Sequence, residues 1–176
     1  MDCLISAGYP RRVFQARSRS VRAAIAPLSL LAAASLWAAA ATAAAEPPGT
    51  LVPGSQLQGA GAFMGPVRTV SANGIRVGYR QFGHGPDLLM VSGDTAPMTL
   101  WMPYLLKPLA RDFTVTIFDN RGVGYSTDDP AQRMTVPLMA RDTAGVIEAL
   151  ALRQPTVVGW SMGGEIGLTL AERRPA

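Results

Sequence analysis

Val157-Val158-Gly159-Trp160-Ser161-Met162-Gly163-Gly164 decides how the rest of this 176-residue chain is read. Two β-branched residues run into a glycine, a serine follows two positions later, and two more glycines open a segment of helical spacing, Gly163 to Arg174. The pattern Gly-x-Ser-x-Gly between a strand and a helix predicts a tight, strained turn that holds the serine hydroxyl out in a cleft. Side chains two residues before and after the serine would collide in such a turn, so glycine serves at 159 and 163. Gly164 and Gly167 let the helix approach the sheet. The helix start also leaves N–H groups free to receive a developing negative charge. The five-residue pattern alone is a common accident, and a glycine-rich strand-to-helix cap would satisfy it. The apolar strand before it and the amphipathic segment after it supply the context a nucleophile needs.

Upstream, the same alternation of strands and helices continues. Val67 to Val70 and Ile75 to Arg80 alternate apolar and polar residues around Ser71-Ala72-Asn73-Gly74, and Asn-Gly between such runs predicts a hairpin. Phe82-Gly83-His84-Gly85-Pro86 is a second turn. Asp87-Leu88-Leu89-Met90-Val91 and Phe113 to Phe118 are continuous apolar strands of the kind covered on both faces. A helix is expected around Leu100 to Arg111, with Trp101, Leu105 and Leu109 on one face and its ends blurred by Pro103 and Pro108. Another is expected after Thr135, which stands as an N-cap before Pro137. Two antiparallel strands followed by strand–helix repeats predict an α/β fold with parallel crossovers. Ligands in such sheets sit outside the carboxyl ends of the strands. Three segments fall there: Ser92-Gly93-Asp94, Asp119-Asn120-Arg121-Gly122 and Ser161.

Taken together, Leu88 to Gly93, Phe118-Asp119-Asn120-Arg121-Gly122-Val123-Gly124-Tyr125-Ser126 and Gly159 to Gly164 carry a family resemblance. From Ile75 to Pro175 the chain resembles the amino-terminal half of the α/β-hydrolase superfamily. It is most similar to the single-domain esterase, cofactor-free haloperoxidase-like and aminopeptidase-like branch. The resemblance implies that Ser161 is a nucleophile that forms an acyl-enzyme on an ester or amide bond. It implies that the backbone N–H of Met162 is half of an oxyanion hole, and that of Asp94 the other half. The family often has His-Gly where this chain has Ser92-Gly93, and the Asp94 carboxylate must point away from any oxyanion. Serine at the turn speaks against the branches that use aspartate there. Asp119 to Gly122 reads as scaffold, with Arg121 pairing a nearby carboxylate and Asp128 and Asp129 solvated in the loop that follows. Trp160 and Met162 either touch substrate or merely pack.

A serine nucleophile needs a base, and the chain has one histidine, His84. Its turn feeds the amino end of a strand, which puts it at the opposite edge of the sheet from Ser161, out of hydrogen-bond reach. In this family the acid and the histidine follow the serine in chain order. The sequence therefore reads as the front of a hydrolase, a fragment inactive alone. The competing reading is a non-catalytic remnant, or a binding or pairing module, derived from the same fold. Either way Thr156 to Val158 should form an apolar sheet edge prone to self-association.

Charge separates the chain into two parts. Residues 1–45 hold five arginines and a single acid, Asp2, so the rest is balanced at eleven basic and eleven acidic residues. The high pI, about 9.8, belongs to the leader, and no basic face for nucleic acid is expected on the folded part. Arginines at 11–22, an uncharged run at 23–45 and Ala43-Ala44-Ala45 before Glu46 have the order of a cleaved signal peptide, with a twin-arginine look at Arg11-Arg12. This predicts export to the periplasm or beyond; an uncleaved anchor over 23–45 is the alternative, with no other membrane contact expected. The only cysteine is Cys3, so no disulfide is expected in the exported part. Residues 46–65 read as a Gly/Pro-rich linker and 66–176 as the partial hydrolase domain. No motif for a metal or nucleotide cofactor is present, and a small acyl compound is the expected partner.

Overall fold

The structure is a computed structural model that describes residues 48–56 and 59–173. The leader read over 1–45 lies outside the described residues. Among the described residues six strands form one sheet: β1 (Thr50–Leu51), β2 (Arg68–Ala72), β3 (Ile75–Gly83), β4 (Asp87–Val91), β5 (Thr114–Phe118) and β6 (Thr156–Gly159), in the order β1-β2-β3-β5-β4-β6. β1 to β3 are antiparallel, β3 pairs antiparallel with β5, and β5, β4 and β6 run parallel. The predicted hairpin joins β2 to β3. Asn73 and Gly74 both have positive φ, 46° and 80°, as a two-residue turn matching the twist of its strands requires.

Alternation along the strands splits the interior into two cores. Ile75, Val77, Tyr79, Leu89, Val91 and Phe118 face one way, under α2 (Val136–Ala149) and α3 (Met162–Arg173). Phe82, Leu88, Met90, Val115 and Ile117 face the other, under Met98 and α1 (Pro103–Leu109). Consecutive residues of β4 thus enter different cores, which is why its sequence is apolar without a break. α2 begins as expected: the Thr135 hydroxyl accepts the Leu138 N–H at 3.3 Å. Among the described residues no helix is long and apolar enough to cross a membrane.

Two segments differ from the sequence reading. The helix expected over 100–111 is broken into a 3₁₀ turn, Met98–Leu100, and α1. Met102 is extended because it precedes Pro103, and a residue before proline avoids the helical region. Residues 46–65 were expected to be a loose linker, but order begins at Thr50 rather than Pro66. β1 pairs Thr50 with Thr69, and a 3₁₀ stretch over Gly59–Met64 buries Met64 in the second core. Ser55 is buried, donating to the Val52 carbonyl at 2.7 Å and accepting from the Val67 N–H at 2.8 Å. The order here comes from the neighbouring strand rather than from local propensity, so composition did not reveal it.

Candidate active site

The carboxyl ends of β4, β5 and β6 lie side by side, since Leu88, Val115 and Thr156 are in register near their starts. At that edge β6 turns into α3 within two residues. The Trp160 N–H donates to the Val91 carbonyl at 3.0 Å, which ties the turn to β4. Ser161 then takes φ of +56°, a conformation that costs a non-glycine residue about 1–2 kcal/mol. The turn is closed by Gly163 N–H to the Trp160 carbonyl, 2.9 Å, and Gly164 N–H to the Ser161 carbonyl, 2.8 Å. A Cβ on Gly159 would strike the Gly163 carbonyl, and one on Gly163 would strike the Val91 carbonyl. Both glycines are thus required by close backbone approach, as the spacing predicted. Ser161 is exposed, and Met162 is the first residue of α3, a position whose N–H has no partner inside the helix.

The loop after β4 leans on this turn. A Cβ on Gly93 would sit 3.1 Å from the Ser161 Cβ and 3.3 Å from the Trp160 ring. Ser92 is buried and its hydroxyl donates to the Ala96 carbonyl at 2.9 Å, closing a five-residue loop in which Thr95 has φ of +52°. The buried Asn120 amide donates to the Ser92 carbonyl at 3.0 Å. Asp94 stands exposed at the tip of that loop, so the structure brings the segment holding Ser161 and Met162 against the one holding Asp94. The holding role of Asn120 had no local signal, because its partner is set by the sheet, and that of Ser92 depends on the turn that brings Ala96 back to it. Ser92→Ala should raise amide exchange at Asp94 to Ala96 about tenfold, the loss of one net hydrogen bond. Hydrogen–deuterium exchange checks this; unchanged protection would mean the loop is held by other contacts.

Asp119 to Gly122 is scaffold. Asp119 is buried and accepts the Met98 N–H at 2.6 Å and the Tyr125 N–H at 2.8 Å. Desolvation holds its carboxyl above the usual range, opposed by those two N–H donors. Gly124, at φ of +50°, leaves room that a Cβ would take from the Asp119 carboxylate. Arg121 is fully buried and grips Asp142 through Nε at 2.6 Å and Nη2 at 2.8 Å, with Asn73 donating to the same carboxylate at 2.6 Å. Asp142 holds the Arg121 guanidinium above its ordinary pKa. Asp128, read as solvated, is exposed and is also paired: it accepts from Arg121 Nη1 at 3.2 Å and from the Asp129 N–H at 2.8 Å. The turn between 121 and 128 makes that pair, and charge spacing alone did not reveal it.

His84 lies in the turn before β4, at the amino edge of the sheet, while Ser161 lies past the carboxyl end of the parallel strand β6. No imidazole of these 176 residues therefore reaches the serine. Among the described residues no three His, Cys, Asp or Glu side chains gather as metal ligands do. A cavity of about 520 Å³ lies on the α2 and α3 side, lined by Arg141, Glu148 and Arg173 among others, and none of the loops at the serine edge line it.

The chain is similar to 2-hydroxymuconate semialdehyde hydrolase of Pseudomonas sp. (strain CF600), with 33% identity over 110 residues, covering 61% of this chain and 39% of that protein. Among solved structures it is similar to a membrane phospholipase A described as a bacterial virulence factor, at a TM-score of 0.59 and 27% identity, covering 62% of this chain and 36% of that one. It also resembles the epoxide hydrolase VrEH1 from Vigna radiata, at a TM-score of 0.57 and 26% identity, with the same coverage of 62% and 36%. The chain thus spans less than two fifths of the length of each relative. The family model for the alpha/beta hydrolase fold matches residues 86–176. That match takes in the loop after β4, the buried Arg121 scaffold and the serine turn, and it is just over half of the chain, which belongs to the alpha/beta hydrolase fold family.

Proposed function

We propose that this chain carries the nucleophile-bearing part of an exported serine hydrolase acting on an ester- or amide-type bond. The observation that supports it is Ser161 at positive φ on a turn closed by two obligatory glycines, with the Gly93 loop against its Cβ. In this reading Ser161 Oγ attacks the acyl carbon as a base takes its proton. The carbonyl oxygen gathers negative charge between the Met162 and Asp94 N–H groups. The leaving group departs with that proton, and water then releases the acyl group from Ser161. The acid and the imidazole come from sequence other than these 176 residues. The relatives' names differ widely, a semialdehyde hydrolase, a phospholipase and an epoxide hydrolase, and they single out no one substrate for this chain.

The test is to read the gene past codon 176, express the whole reading frame and label it with a fluorophosphonate. Label on the Ser161 peptide, absent in Ser161→Ala, is the expected result. A product with an acid and a histidine downstream that takes no label would sink the proposal. A genuine stop after Ala176 would favour the non-catalytic pairing module, for which the missing imidazole speaks. In the 176-residue form we also expect association through the β6 edge, which has a partner only on its β4 side among the described residues. Light scattering that stays monomeric across a hundredfold concentration range would remove that expectation.

A further inference from the structure

Gly93 sets a problem of precision. A Cβ there would lie 3.1 Å from the Ser161 Cβ and 3.3 Å from the Trp160 ring, so the approach of the loop to the serine turn favours glycine. Glycine is also the residue least able to hold its own backbone angles. Its carbonyl accepts the Ala96 N–H at 3.4 Å. The N–H and C=O of a trans peptide point opposite ways, so the Asp94 N–H is turned out of the loop. Thr95, at φ of +52°, adds strain that persists only where the surroundings over-determine it. What fixes the direction of the Asp94 N–H must therefore come from outside the loop.

It comes from two consecutive buried residues just past β5. Asn120 Nδ2 donates to the Ser92 carbonyl at 3.0 Å, at the start of the loop. The Asp119 carboxylate accepts the Met98 N–H at 2.6 Å, at its end. The stretch 93–97 thus hangs between two pins set one residue apart on the sheet. The pins are themselves held. The Asp119 N–H donates to the Gly78 carbonyl at 2.9 Å, and its carbonyl accepts the Ser126 hydroxyl at 2.6 Å. Its second carboxylate oxygen accepts the Tyr125 N–H at 2.8 Å, and the charge of Arg80 favours the ionised form. The Ser92 hydroxyl, by contrast, bonds to Ala96 within the loop and moves with it.

We propose that Asn120, backed by Asp119, is a positioning residue for acyl transfer at Ser161. By holding the peptide that joins Ser92 to Gly93, it aims the Asp94 N–H at the oxygen that gathers negative charge. Asn120 touches no substrate and takes no proton; it acts through the loop. The inference rests on the reading of Ser161 as nucleophile and of Asp94 as an oxyanion donor. Its effect falls on the transition state and not on binding, because a donor turned slightly aside leaves the cleft intact and loses only the bond that strengthens as charge develops.

The test uses the whole reading frame, with active sites counted by fluorophosphonate label. Asn120→Ala should lower kcat per labelled site about a hundredfold while KM moves less than about threefold. The Ki of a boronic acid, whose tetrahedral adduct on Ser161 sets an oxygen at the same donors, should rise in step with the fall in kcat/KM. A merely structural role would lower the number of labelled sites and the unfolding midpoint and leave the rate per site alone. In the 176-residue chain the same variant should speed amide exchange at Asp94 and Thr95 about tenfold. Should Asn120→Ala fail to fold, Asn120→Ser, whose shorter side chain leaves the bond to Ser92 unmade, takes its place with the same expectations. Label on Ser161 and an inactive Ser161→Ala, beside an Asn120 variant whose kcat per site and boronate Ki stay within about threefold, would overturn this inference and leave the nucleophile reading standing. A reading frame without the acid and the histidine, or a wild-type protein that takes no label, would overturn both.

Discussion

Ser161→Ala, in a polypeptide that also carries the acid and the histidine, is expected to lower kcat by about 10⁴- to 10⁶-fold. The size of the effect follows from the place of the residue. Ser161 is exposed, and its backbone is fixed by the carbonyl and N–H bonds of Trp160, Gly163 and Gly164 rather than by its hydroxyl. Alanine fits the same turn with the same strain, so unfolding should not contribute. What disappears is the only atom in this segment able to form an acyl bond. Binding contacts and the two N–H groups remain, so KM should stay within a few-fold and the residual rate should report the oxyanion site alone. Steady-state kinetics on an activated ester, beside the unfolding midpoint of both forms, separates the outcomes. A loss of less than about tenfold with an unchanged midpoint would mean that another group is the nucleophile.

Arg121→Ala is expected to destabilise the folded chain by about 3–5 kcal/mol, the usual effect of removing one partner of a buried ion pair. Asp142 would keep only the Asn73 amide while its side chain remains 4% exposed. Asp128, with a side chain 38% exposed, would turn to water at little cost. The effect should be read from urea unfolding of the chain. Arg121→Met combined with Asp142→Leu should recover part of the loss, because it removes both charges together. A single-variant loss below about 1 kcal/mol would show that the pair is not closed from water.

The elements legible from sequence are those whose cause is local. Asn73-Gly74 states its turn by backbone freedom, and Gly159 and Gly163 state theirs by the space they leave. His84 was placed at the wrong edge for catalysis because the direction of β4 follows from the order of elements. The illegible parts are those whose cause is tertiary. β1 exists because β2 offers an edge, and Ser55 is held by Val67 and Arg80 from across the sheet. Ser92 fastening its own loop and Asp128 meeting Arg121 depend on turns that bring residues back upon themselves. The helix over 100–111 breaks for a local reason: Pro103 dictates the extended conformation of Met102 and sets the start of α1.

The strand order has a consequence for synthesis. β3 and β4 are consecutive in the chain, yet β5 lies between them in the sheet. As the polypeptide leaves the ribosome, both strands are complete by Val91; β3 already has β2 on one side, but β5, which lies between β3 and β4, comes only with Thr114–Phe118. For that interval the nascent chain presents β4 unpaired and β3 open on one side, and a direct β3–β4 hairpin is the nearest wrong pairing. The turn that joins them stands against this. Gly83 and Gly85 lie close under the backbone of Ala110, Asp112 and Phe113, where a Cβ on either would clash, so its shape is suited to receiving the start of β5. The growing chain is thus most exposed to error over the span in which α1 is being made, and slowing translation there should lengthen that exposure.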